Sequence, residues 1–195
     1  MKSMAKKYEF KPDKPRAGLL NKLYLTQKQR KTFLKWLLYS LVLLVLSVLQ
    51  DVILCRLRIF GASTDLVPCG IFLICILEGM ERGSIFCLIA SLLYLFSGTA
   101  PGAYCVVLIP FLAIFTAFLR QSYLQRSFGS TMLCMVLTML LYELVVFGIT
   151  LFLQLTVFAR LGAACLTGLY SVLAAAVLYP VVLAIGTIGG ETWKE

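Results

Sequence analysis

Few side chains in this chain could do chemistry. Histidine is absent, and the seven cysteines (Cys55, Cys69, Cys75, Cys87, Cys105, Cys134 and Cys165) stand singly, with no CxxC pair. Without imidazole the usual general base at neutral pH is missing. Thiolate and imidazole metal sites have almost no material, so the cysteines read as small buried hydrophobes. GxSxG and Walker motifs do not occur. Aspartyl proteolysis inside a membrane needs two acids that face each other, yet Asp51, Asp65 and Glu78 fall at the ends of apolar runs. Neither an enzyme nor a bound cofactor or metal is expected.

Three constellations remain. Glu143 lies in the middle of the apolar run 130-STMLCMVLTMLLYELVVFGITLFLQL-155. An ionisable group at that depth costs several kcal/mol unless it is protonated, paired or hydrated. It reads either as a proton relay or partner site, or as a bundle-facing carboxyl bonded to another helix, with Tyr94 and Gln154 as candidate partners. The second is 78-EGMERG-83, a six-residue charged turn in which Gly79 and Gly83 allow tight backbone. Its acids Glu78 and Glu81 can pair with Arg82 or with lysines nearer the N-terminus. It reads as a solvated turn or as a docking point. The third is a stripe of small residues, Ala163, Thr167, Ser171 and Ala175, flanked by Ala164 and Gly168. In lipid such stripes let helices approach closely, within one bundle or towards another membrane subunit.

The elements that must position these residues follow from composition. Of 195 residues 61% are hydrophobic and 14% charged, with a mean hydropathy of +0.93. A soluble domain is nearer half apolar and a quarter charged, and one this small could not hide so much apolar surface. About 20 apolar residues cross the hydrocarbon layer. The spacing predicts an all-α polytopic membrane protein, a compact bundle of about six transmembrane helices near 33–54, 66–79, 84–98, 101–119, 130–154 and 162–187. Trp36 and Tyr39 sit where an aromatic belt forms, and Pro110 is expected to kink the fourth helix.

The formal charge of +9 suggests nucleic acid until it is located. Residues 1–35 hold eleven of the eighteen Lys/Arg and only two acids, Glu9 and Asp13. The rest of the chain sums to zero. No nucleic-acid partner is expected; anionic lipid suits the tail. Residues 1–32 read as a largely disordered basic tail, 33–188 as the bundle and 189–195 as a short C-terminal segment. Even spans with the tail inside place fifteen basic residues on the inner side against three outside, so both termini are expected to be cytoplasmic.

At 50-QDVILCRLRIFGASTDLV-67 and 77-LEGMERGSIFCLIASLLYLFSG-98 the chain resembles the rod shape-determining protein MreD family. Gln50, Asp65, Leu66, Gly79, Arg82, Gly83, Ser97, Gly98 and Gly102 fit the order and spacing of that family's pattern, and Tyr179-Pro180 resembles its closing Tyr-Pro. One departure is Tyr94, where the family often has an Asp. The resemblance covers about residues 33–185. It implies a non-enzymatic subunit of the cell-elongation machinery in the bacterial plasma membrane, associated with an MreC-like membrane protein and, through it, an MreB-like filament and peptidoglycan synthases. It also implies a fold similar to the substrate-capture subunits of energy-coupling-factor vitamin transporters, and such a subunit is the alternative reading. Those subunits usually carry Ala-x-x-x-Ala on the first helix; here residues 33–54 contain no alanine.

Overall fold

The computed structural model describes residues 27–54, 62–123 and 127–188. Among them the regular structure is helical, with six α-helices. These are α1 (Gln27–Leu49, continued by a π-helical turn, Gln50–Leu54), α2 (Leu66–Glu78), α3 (Met80–Phe96), α4 (Cys105–Tyr123), α5 (Phe128–Phe152) and α6 (Leu161–Thr187). A 3-10 turn, Phe158–Arg160, leads into α6. Four segments are long and apolar enough to cross a membrane: Gln29–Val52, Cys105–Ser122, Phe128–Phe152 and Phe158–Thr187. α2 and α3 have 13 and 17 residues. At about 1.5 Å per residue they reach roughly 20 and 26 Å, short of the ~30 Å hydrocarbon layer.

The bundle is organised around its shortest helix. Every residue of α2 from Leu66 to Leu77 is buried, and α2 touches each of the other five helices. A helix apolar on all faces belongs inside a core, and α2 has no face left for lipid. Pro68 is accommodated because it lies in the first turn, where its missing N–H has no intrahelical acceptor to lose. α1 crosses close to α2 at Gly70, where a Cβ would lie 2.7 Å from Leu46 Cδ1. The buried face of α1 is one seam of Lys35, Tyr39, Leu46 and Gln50, spaced at four and seven residues. Its remaining large side chains, such as Phe33, Leu41 and Leu44, face outward.

Several boundaries differ from the expected ones, each for a local reason. α1 starts at Gln27, before the expected residue 33, because Gln, Lys and Arg are strong helix formers even where hydropathy is low. The tail expectation for residues 1–26, and that for 189–195, lie outside the described residues. Tyr39 is wholly buried instead of belonging to a surface belt; it turns inward, edge-on to Trp36 at 5.7 Å between ring centroids. α4 begins at Cys105, after the turn-forming Pro101 and Gly102, and continues through Pro110 to Tyr123. α5 begins at Phe128, capped by Ser127 Oγ accepting from Ser130 N at 3.2 Å. It ends two residues before Gln154, which takes a left-handed φ of 57°.

The largest difference is at 78–83. The expected six-residue turn is a single residue: Gly79 alone separates α2 from α3, at φ 87°, ψ 175°. That region is essentially reserved for glycine. Gly83 does a separate job, inside the first turns of α3. A Cβ there would meet Cys75 O at 2.9 Å and Cys75 Cα at 3.0 Å, so its bare backbone lets α3 lie against α2. Nothing lies within 4 Å of a Cβ built on Gly79. Gly79→Ala should therefore cost about 1–3 kcal/mol from backbone strain alone, while Gly83→Ala forces backbone apart and should lower the melting temperature of the detergent-solubilised protein further. Equal melting temperatures for both variants and the parent would show that neither glycine is required.

Candidate functional site

A buried helix needs partners at both ends, and the polar side chains of this protein collect there. At the N-terminal end of α2, Gln50 reaches over from the π-helical turn of α1. Its Oε1 accepts from Val67 N at 3.0 Å, and its Nε2 donates to Asp65 Oδ1 at 3.3 Å. Asp65 precedes the helix, and its own side chain makes no cap bond to α2. Its backbone N–H is taken by Ser171 Oγ of α6 at 2.9 Å. Cys69 Sγ donates to Ser171 O at 3.1 Å. Gln50 and Ser171 thus take the N–H groups of Val67 and Asp65, which would otherwise be unsatisfied in an apolar interior.

At the C-terminal end of α2 the partners are cations. Lys35 Nζ lies 2.6 Å from Glu78 Oε1, with side chains only 7% and 4% exposed. Tyr39 OH donates to the same oxygen at 2.6 Å, and Val182 O lies 3.5 Å from that hydroxyl. Gly186 of α6 leaves room here; a Cβ on it would sit 3.3 Å from Tyr39 OH. From α4, buried Arg120 donates through Nη1 to Ile76 O, one of the last carbonyls of α2. Positive charge at a helix C-terminus meets the negative end of the dipole. Three helices therefore grip this end as well.

The expected site residues separate into groups. Asp65 and Glu78 belong to the two clamps. Glu81 and Arg82 are exposed on the first turn of α3, beside the second clamp. Gly79 and Gly83 form the joint described above. Of the small-residue stripe, Gly168, Ser171 and Ala175 are buried inside the bundle, whereas Ala163, Ala164 and Thr167 are half-buried on the opening turns of α6. The central part of the stripe therefore serves packing within the chain.

Glu143 differs from expectation. It is 7% exposed, packed so that a Cβ on Gly168 would meet its Cγ at 3.4 Å. Neither expected partner reaches it. Tyr94 OH is directed to Thr99 O at 3.5 Å, and Gln154 lies beyond the end of α5, about three helical turns away. Its Oε1 has no hydrogen-bond partner among the described residues. Lys35, Tyr39 and Arg120 were not singled out from sequence. Their signal is a lone cation at each edge of an apolar run, and for Lys35 a Tyr four residues on, on the same helical face.

The arrangement has the chemistry of a structural joint: two hydrogen-bonded clamps and one solitary carboxyl. Among the described residues no group of three or more His, Cys, Asp or Glu could hold a metal ion. No family model matches the chain, and neither a curated protein nor a solved structure matches it.

Breaking a buried pair by removing one partner costs about 3–5 kcal/mol, whereas replacing both by apolar groups is often neutral. Lys35→Met and Glu78→Leu should each lower thermal stability strongly, and the double variant should recover most of the loss. Additive losses in the double variant would mean that the two residues act independently. Glu143 gives a contrasting case. Because Oε1 makes no bond, Glu143→Leu should leave stability unchanged or raise it. A loss of about 1–3 kcal/mol in that variant would reveal a hydrogen bond made by its carboxyl.

Proposed function

We propose that this chain is a non-enzymatic membrane subunit of the bacterial cell-elongation machinery, in the role filled by the MreD family. It would cross the plasma membrane six times, α2 and α3 included, with both termini in the cytoplasm. It would bind an MreC-like membrane protein and, through it, an MreB-like filament and the peptidoglycan synthases. Its basic N-terminal tail would rest on anionic lipid.

One observation carries this reading. Several of the residues that resemble the family pattern stand where the fold makes a physical demand. Gln50 and Asp65 close one end of α2. Gly79 is the link to α3, and Gly83 is its point of closest approach. Gly98 ends α3 at a φ of 78°. Tyr179, in the closing Tyr-Pro, stacks edge-on with Phe128 at 4.9 Å. A chance match of common residues has no reason to fall on the joints of a bundle, so the agreement supports the resemblance. Exposed Glu81 and Arg82, set beside a rigid clamp, offer a partner a charged handle.

The test is affinity purification of the detergent-solubilised protein from bacterial membranes, with one arm supplied with labelled vitamins. Recovery of an MreC-like protein and cell-wall synthases with no retained vitamin is the expected result. A tightly held vitamin with ATP-binding-cassette ATPases would replace this reading by that of a substrate-capture subunit.

A further inference from the structure

α1 packs on α2 along its Tyr39–Leu46–Gln50 seam, and its neighbouring face stands away from α3. The two helices enclose a groove of about 900 Å³. Its walls are aliphatic, including Leu43, Leu44, Ile85, Ile89 and Leu93. On α3 the lining runs from Arg82 to Ser97, about 22 Å at ~1.5 Å per residue. Many wall residues are themselves exposed on the lipid-facing side, so the groove opens sideways.

Its charge is confined to one end. Lys35, Glu78 and Arg82 line that end, with Thr32 beside them. Lys35 and Glu78 neutralise each other. Among the described residues, exposed Arg82 and, about one turn before Lys35 on α1, exposed Arg30 and Lys31 stand near this end with one exposed acid, Glu81. The groove thus has a cationic head and a long apolar body, the inverse of an anionic amphiphile.

We propose that the α1–α3 groove binds an anionic glycerophospholipid, its acyl chain between the two helices and its phosphate at Arg82 and Thr32. A guanidinium matches phosphate oxygens in a two-pronged geometry that an ammonium lacks. The seat lies at the end of the groove where α1 begins. This site is independent of the cell-elongation reading.

Trp36 lines the groove and stacks on Phe86 at 5.2 Å, which provides the probe. With Trp193→Phe as background, Trp36 is the only tryptophan. The full chain is reconstituted in phosphatidylcholine vesicles containing brominated phosphatidylglycerol or, in the other arm, brominated phosphatidylcholine. Brominated phosphatidylglycerol should quench Trp36 at an about fivefold lower mole fraction, the discrimination expected from one Arg at the surface. Arg82→Ala, at an exposed position, should bring the two lipids together. Ser40→Phe, which narrows the groove, should weaken quenching by both. Equal quenching by the two lipids in the parent, or a preference that survives Arg82→Ala, would overturn the proposal. So would a photocrosslinker at Ser40 that, in native membranes, joins a membrane protein and no lipid.

Discussion

Each end of an α-helix leaves up to four backbone groups without an intrahelical partner. In most membrane helices water and headgroups take them. In α2 they cannot, because five other helices surround it and its length falls about 10 Å short of the hydrocarbon layer. The chain answers with side chains from its neighbours: at one end Gln50 accepts from Val67 N and Ser171 from Asp65 N, and at the other Arg120 donates to Ile76 O beside the Lys35–Glu78–Tyr39 cluster. These side chains come from α1, α4 and α6, helices far apart in sequence. The same contacts that satisfy α2 also fix where those three helices stand, so the architecture and the polar chemistry have one origin.

The division of labour among helices follows. α6 lies against α5 at Gly168, where a Cβ would meet Glu143 Cγ and Leu140 Cδ2 at 3.4 Å, and one turn on its Ser171 faces the N-terminal end of α2. α1 is different. It contributes a single narrow seam to the core and depends on polar contacts near residues 35–39 and at residue 50. Lightly packed against α3 beside that seam, it leaves a lengthwise groove. That opening is a consequence of how α1 is attached, and its cationic end is a consequence of where the clamp sits.

Much of this was legible in the sequence. Apolar run length and composition identify an all-helical membrane bundle, because no soluble packing of these residues could hide them. Asp65 and Glu78 are recognisable as end-of-helix acids from position alone, and the small residues of α6 from their spacing of four. The single-residue link at Gly79 was not legible. Hydropathy places a break wherever charges cluster, and Glu81 and Arg82 drew the break wider although both are helical. An N-terminal lysine was a readable partner for Glu78, but which one was not: pairing it with Lys35 requires knowing that two segments 43 residues apart meet at one level. The surroundings of Glu143 were not legible either: a carboxyl amid apolar residues suggests a donor across the interface, whereas its Oε1 has no hydrogen-bond partner among the described residues.

The one-residue link has a bearing on how the protein is made. Consecutive Cα atoms are about 3.8 Å apart, so the single residue Gly79 gives α2 and α3 no slack to fold apart from one another, and the two form as a hairpin. Until Lys35, Arg120 and Ser171 are all in place, one or both ends of α2 remain open. α6 follows the other five helices in the chain and carries Ser171, so the Asp65 N–H before the central helix waits for a segment more than 100 residues further on before it finds its acceptor.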